Sequence, residues 1–79
     1  MNKQDPRYEK LQSLLRDLRT SQNIRQQELA EKLGRPQSYV SKYESGDRNV
    51  DLIELIEITK ALDIEPEAAI SDLVSRLSE

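Results

Sequence analysis

The chain of 79 residues contains no cysteine, no histidine, no tryptophan and no phenylalanine. Each absence excludes something. Without Cys or His there is no disulfide framework, no zinc finger, no thiol nucleophile and no imidazole base. An oxygen-only metal site would need an Asp/Asn/Gly loop, and none is present. No apolar run is long enough to cross a bilayer. Met1 is followed by Asn-Lys-Gln-Asp-Pro, so no secretory signal is expected. Glycine and proline are scarce, at two and three residues. No period-2 strand pattern appears, and apolar residues recur at helical spacing instead.

What is there is charge. Charged residues make up 34% of the chain, and the formal net charge is −3. The sign is unevenly placed. Residues 1–25 carry six basic and three acidic side chains, residues 26–48 carry four of each, and residues 49–79 carry two basic and eight acidic. The local balances are therefore +3, 0 and −6. Between Lys32 and Tyr43 stand Lys32, Arg35 and Lys42 with no acid. An overall acidic chain argues against a nucleic-acid partner, but the gradient points to polarised binding by the first half. A solvated helical surface would explain the same gradient.

Five short helices are expected in an all-α chain. Asp5-Pro6 is an N-cap followed by proline at the first helical position. Leu11, Leu14, Leu15 and Leu18 form the first stripe, which ends near Ser21 with Asn23 in the left-handed region. The second helix runs from about Gln26 to Leu33, with Leu29, Ala30 and Leu33 inward and Gly34 as its stop. Pro36 opens the third at its first helical position, and Gly46 ends it after Ser45. Val40 and Tyr43 are its core residues, Tyr43 with its hydroxyl reaching outward. Asp51-Leu52-Ile53-Glu54 is a capping box, with Val50 and Leu55 as the hydrophobic staple. Leu52, Leu55, Ile58 and Leu62 share the inward face of the fourth helix. Glu65-Pro66 starts the fifth, in which Ala69, Ile70, Leu73, Val74 and Leu77 make an amphipathic stripe.

Two helices joined by about three residues, the second short and polar, outline a helix-turn-helix. The third helix presents Gln37, Ser38, Ser41 and Lys42 outward. Gln suits adenine, Ser several bases, and Lys guanine or phosphate. The helix N-terminus offers free N–H groups and the positive dipole end to phosphate.

The run Gln26-Gln27-Glu28-Leu29-Ala30-Glu31-Lys32-Leu33-Gly34, followed by Gln37-Ser38-Tyr39-Val40-Ser41-Lys42-Tyr43-Glu44-Ser45-Gly46, resembles the Cro/phage-repressor (XRE-type, lambda-repressor-like) helix-turn-helix family. The resemblance covers roughly residues 14–64 and continues through Leu52, Leu55, Ile58 and Ala61-Leu62. It implies a single domain over 1–79, with the helix-turn-helix core at about 14–64. Helix 5, at about 66–78, would complete the core and dimerise. By the family pattern, Gln37 and Ser38 take the first two base-reading positions and Lys42 a further one, a helical turn on; the outward Ser41 is expected to read bases with them. Gln26 bonds phosphate and braces the first reader. Ser45, Arg48 and Asn49 match the loop that grips the backbone. Arg19 and Glu44 match a structural pair between helix 1 and the third helix.

Three departures stand out. Arg25 replaces the usual Ser/Thr cap, Pro36 stands where a capping Ser/Thr is common, and Asp47 puts an acid beside the gripping loop. Arg35 reads as a phosphate contact. Arg48 does so too, because it follows the Gly46 turn with little to pack against. Tyr39 either stacks on the sugar–phosphate or covers the seam between helices 2 and 3. Arg7, Lys10 and Arg16 read as a solvated basic face. Ile53, Ile56, Ile70, Val74 and Leu77 exceed what one small core can bury, so they are expected at a two-fold dimer interface. The expected partners are thus operator DNA and a second copy, with no membrane, small-molecule ligand or cofactor, in the cytoplasm at the nucleoid. The chain reads as a transcriptional regulator and not as an enzyme. The rival reading is an antitoxin or interaction module that uses the fold to bind a protein.

Overall fold

The structure is a computed structural model and describes residues 5–79. Five helices follow in order: α1 (Pro6–Thr20), α2 (Gln26–Leu33), α3 (Gln37–Ser45), α4 (Leu52–Ala61) and α5 (Pro66–Leu77). There is no strand among the described residues. None of these helices is long and apolar enough to cross a membrane.

Local sequence sets the helix ends. Asp5 caps α1 by accepting the Arg7 N–H at 3.0 Å. At α4 the Asp51 carboxylate accepts the Glu54 N–H at 2.8 Å, and Glu54 returns by accepting the Asp51 N–H at 3.0 Å. Such reciprocal caps satisfy donors the helix itself leaves open. Arg25 has no acceptor to offer, so α2 keeps half of that device: Glu28 accepts the Arg25 N–H at 2.8 Å. Pro36 is the N-cap of α3, with φ −68° and ψ 156°, and not its first helical residue. The helix begins one residue later than the proline pattern suggests, because Pro36 stays extended.

Three helices stop in one way. Asn23, Gly34 and Asp63 all have φ near +60°. The residue after each donates to a carbonyl five back: Ile24 to Arg19, Arg35 to Ala30 and Ile64 to Thr59. This is the left-handed closure that Gly permits and that Asn and Asp tolerate. Gly46, with φ +93°, ends α3, and a side chain there would press on the Gln12 side chain.

The core forms where α1, α2, α3 and α4 converge. Leu15, Leu29, Ala30, Val40, Tyr43, Ile58 and Leu62 are almost wholly inaccessible. The helix-turn-helix pair α2–α3 packs on α1 and α4, while α5 lies against α1 and α4. The inward face of α4 differs from the simple apolar stripe. Leu52 is 61% exposed, whereas Thr59 is fully buried. Its hydroxyl donates within the helix, with the Leu55 and Ile56 carbonyls both at 3.0 Å. A short polar side chain can therefore sit in the core without an unpaired group. On α5 only Ala69 is fully buried, and Ile70, Val74 and Leu77 remain exposed. Tyr43 also departs from expectation. Its hydroxyl does not reach outward but is buried, with no hydrogen-bond partner among the described residues. Burial pushes its pKa up.

Candidate nucleic-acid interface

Helix α3 partitions its side chains cleanly. Tyr39, Val40, Tyr43 and Glu44 are buried. Gln37, Ser38 and Lys42 are exposed and Ser41 is half-buried. Residues four apart lie one helical turn apart, so 37/41 and 38/42 line one face. The apolar requirement is met entirely by the opposite face. No side chain caps the α3 N-terminus, which leaves its first N–H groups open toward solvent.

Beneath that face lies a buried ion pair. Arg19 on α1 donates to Glu44 through Nε at 2.7 Å and Nη2 at 2.9 Å. Its Nη1 donates to the Ile24 carbonyl at 2.8 Å. The bond to Glu44 raises the Arg19 pKa, and burial works against that rise. Glu44 also accepts the Gln26 side-chain amide at 3.0 Å. Gln26 in turn accepts the Gln37 side-chain amide at 2.9 Å. A continuous chain of bonds thus runs from α1 through the base of α3 and the start of α2 to the exposed tip of α3. Arg16 joins the same carboxylate at 3.9 Å and so is not simply solvated.

Arg35 and Arg48 are organised by Tyr39. The ring of Tyr39 is only 7% exposed and belongs to the core. That placement favours the seam-covering alternative. Both guanidinium carbons lie over this ring, Arg35 at 4.5 Å and Arg48 at 4.7 Å from its centroid. These distances fall within cation–π range. Arg48 is also held by Glu54, through Nη1 at 3.0 Å and Nη2 at 2.7 Å, and donates to the Asn49 carbonyl. The view that Arg48 has little to pack against is therefore corrected. The Arg48 bonds, with the Asp51 N–H, hold the Glu54 carboxyl down at about 2. Arg35 lies 3.7 Å from Glu57. Ser45 and Asn49 are exposed at the end of this surface, beside the equally exposed Asp47.

Sequence reasoning missed Arg16, Glu54 and Glu57 as parts of this surface. The capping box did mark Glu54, but as a local helix start. Nothing in its spacing told which arginine it would hold.

On α4 and α5, Ile53 is 64% and Val74 57% exposed, with Ile70 and Leu77 near 40%. Ile56 is half-buried.

A family model described as helix-turn-helix matches residues 15–68. No curated protein sequence matches the chain. Among solved structures, an XRE-family like protein from Pseudomonas syringae pv. tomato str. DC3000 is 40% identical, covers 91% of this chain and 88% of that chain, and superposes with a TM-score of 0.84. The restriction-modification controller protein C.AhdI from Aeromonas hydrophila is also 40% identical, with 78% of this chain and 94% of that chain covered and a TM-score of 0.72. A point mutant of the restriction-modification controller protein C.Esp1396I has a TM-score of 0.86 at 22% identity, over 92% of this chain and 97% of that chain. That last likeness shows the shared fold.

Proposed function

Because the chain belongs to the XRE-type helix-turn-helix family, we propose that it is a sequence-specific DNA-binding transcriptional regulator that acts as a homodimer on a palindromic operator. The observation that carries this reading is the Gln26–Gln37 bond, anchored on the buried Arg19–Glu44 pair. It holds the first reading side chain at the exposed tip of α3 before any DNA arrives. Pre-organisation of this kind lowers the ordering cost of binding.

In this reading Gln37, Ser38, Ser41 and Lys42 address base edges in the major groove. Arg35, Arg48, Ser45 and Asn49 contact phosphates and set register. Tyr39 acts indirectly, as the platform for the two arginines. Ile53, Ile70, Val74 and Leu77, with Ile56 at the margin, form the two-fold contact that would place two α3 helices one DNA turn apart, roughly 34 Å. The likeness to the controller protein C.AhdI, at 40% identity, supports a regulatory role.

Selection of bound duplexes from a random pool tests the proposal. The expected result is an enriched palindrome with half-sites about one helical turn apart. Failure to enrich any motif would overturn it in favour of a protein-interaction role.

A further inference from the structure

The two arginines over Tyr39 are each met by a carboxylate from α4, at positions three apart on that helix. The two contacts differ in kind. Glu54 is bidentate to Arg48 and closes the α4 capping box, and its side chain is only 13% exposed. That carboxylate cannot leave without uncapping a helix. The Glu57 side chain is 52% exposed and sits 3.7 Å from Arg35, beyond hydrogen-bond length, and no hydrogen bond among the described residues holds it there. A solvent-exposed pair of this geometry is weak, and a second anion can exchange into it.

We propose that Glu57 is an internal competitor for Arg35, occupying the guanidinium as a stand-in for a DNA phosphate and lowering the affinity of the interface for DNA. The proposal rests on the DNA-binding reading above. In the free protein the Glu57 carboxylate partly neutralises Arg35 while the guanidinium stays over the Tyr39 ring. When DNA docks, a phosphate oxygen takes the guanidinium, and Glu57 turns to solvent. Arg48 behaves differently. Its Glu54 partner stays, and it meets phosphate with the N–H groups that Glu54 and the Asn49 carbonyl leave free. One arginine is thus a fixed register pin, and the other carries a built-in discount on binding. A discount placed at a phosphate contact restrains binding to all sequences.

The test is a double-mutant cycle on random-sequence duplex DNA at low salt, with wild type, Glu57→Gln, Arg35→Ala and the double variant. Glu57→Gln is expected to bind roughly two- to fivefold tighter than wild type, the range set by an exposed ion pair. In the Arg35→Ala background the same substitution is expected to change affinity little, because the competition has been removed. Thermal melting of Glu57→Gln unchanged from wild type would show that the gain is not a change of fold. An equal gain in both backgrounds would overturn the proposal, since a general loss of negative charge would then explain it. So would no gain at all in a protein that binds DNA. Absence of DNA binding in all four proteins would overturn the functional reading itself and this inference with it.

Discussion

The side-chain amide of Gln37 donates to the side-chain oxygen of Gln26 at 2.9 Å, and that contact ties an exposed residue of α3 to the buried carboxylate of Glu44. Gln37 has three rotatable bonds, and an untethered Gln at a helix start would sample many rotamers. The bond to Gln26 restricts that freedom while leaving the Gln37 carbonyl oxygen and one N–H for a base edge.

Gln37→Ala is expected to cost about 1–3 kcal/mol on the selected operator and to relax preference at one base pair per half-site. Gln26→Ala should weaken preference at that same base pair. The double variant should fall short of the summed losses, because the two residues act as one unit. Competition binding against operators substituted at each position measures all three. Unchanged preference in Gln37→Ala would remove it from the readers.

Arg19→Met leaves the Glu44 carboxylate buried without its main partner. Breaking a buried pair in this way costs about 3–5 kcal/mol. Urea unfolding followed by circular dichroism should show that loss. Arg16, at 3.9 Å from Glu44 with a largely exposed side chain, should not rescue it.

Acid should weaken the fold through Glu54. Its pKa is about 2 in the folded chain, against an ordinary value of 4.5, because Arg48 and the Asp51 N–H stabilise the carboxylate. A depressed pKa contributes stability above the unfolded value and loses it as pH falls toward the folded one. The loss should therefore run from about pH 4.5 down to about pH 2. Asp5, also held near 2, by its bonds to Arg7, titrates in the same direction. Unfolding midpoints measured across this range should fall less steeply in Glu54→Gln, with a residual slope from Asp5. An unaltered slope would remove Glu54 as a contributor.

Val74→Asp and Ile53→Asp should monomerise the protein. Both side chains are more than half exposed, so the change buries no charge in the isolated subunit, whereas a two-fold contact would bury it twice. Sedimentation at micromolar concentration should give a dimer for wild type and a monomer for each variant. A monomeric wild type would sink the interface.

The helix ends were legible because each depends on neighbours in the chain. Asp5-Pro6, the Asp51/Glu54 box and the left-handed Asn23 and Gly34 act over five residues or fewer. Asp63 closes α4 by the same geometry and carried the weaker signal of an aspartate among other acids. Pro36 was the local misreading, by one residue. The outward face of α3 was legible as well, since a nine-residue helix with few apolar positions leaves little choice of side.

Sequence by itself determined five helices, their caps, the polar face of α3 and an apolar surplus on α4 and α5. Those follow from backbone chemistry and periodicity, which are local. Only the tertiary structure decided that Leu52 faces outward while Thr59 is buried. It alone joined Arg16 to Glu44 and set Arg35 and Arg48 over Tyr39 with Glu57 and Glu54 behind them. Long charged side chains reach several ångströms in many directions, and their pairing is settled by which helices pack together. The overall charge of −3 concealed this arrangement, in which acids of α4 stand directly behind the basic side chains of the α3 surface.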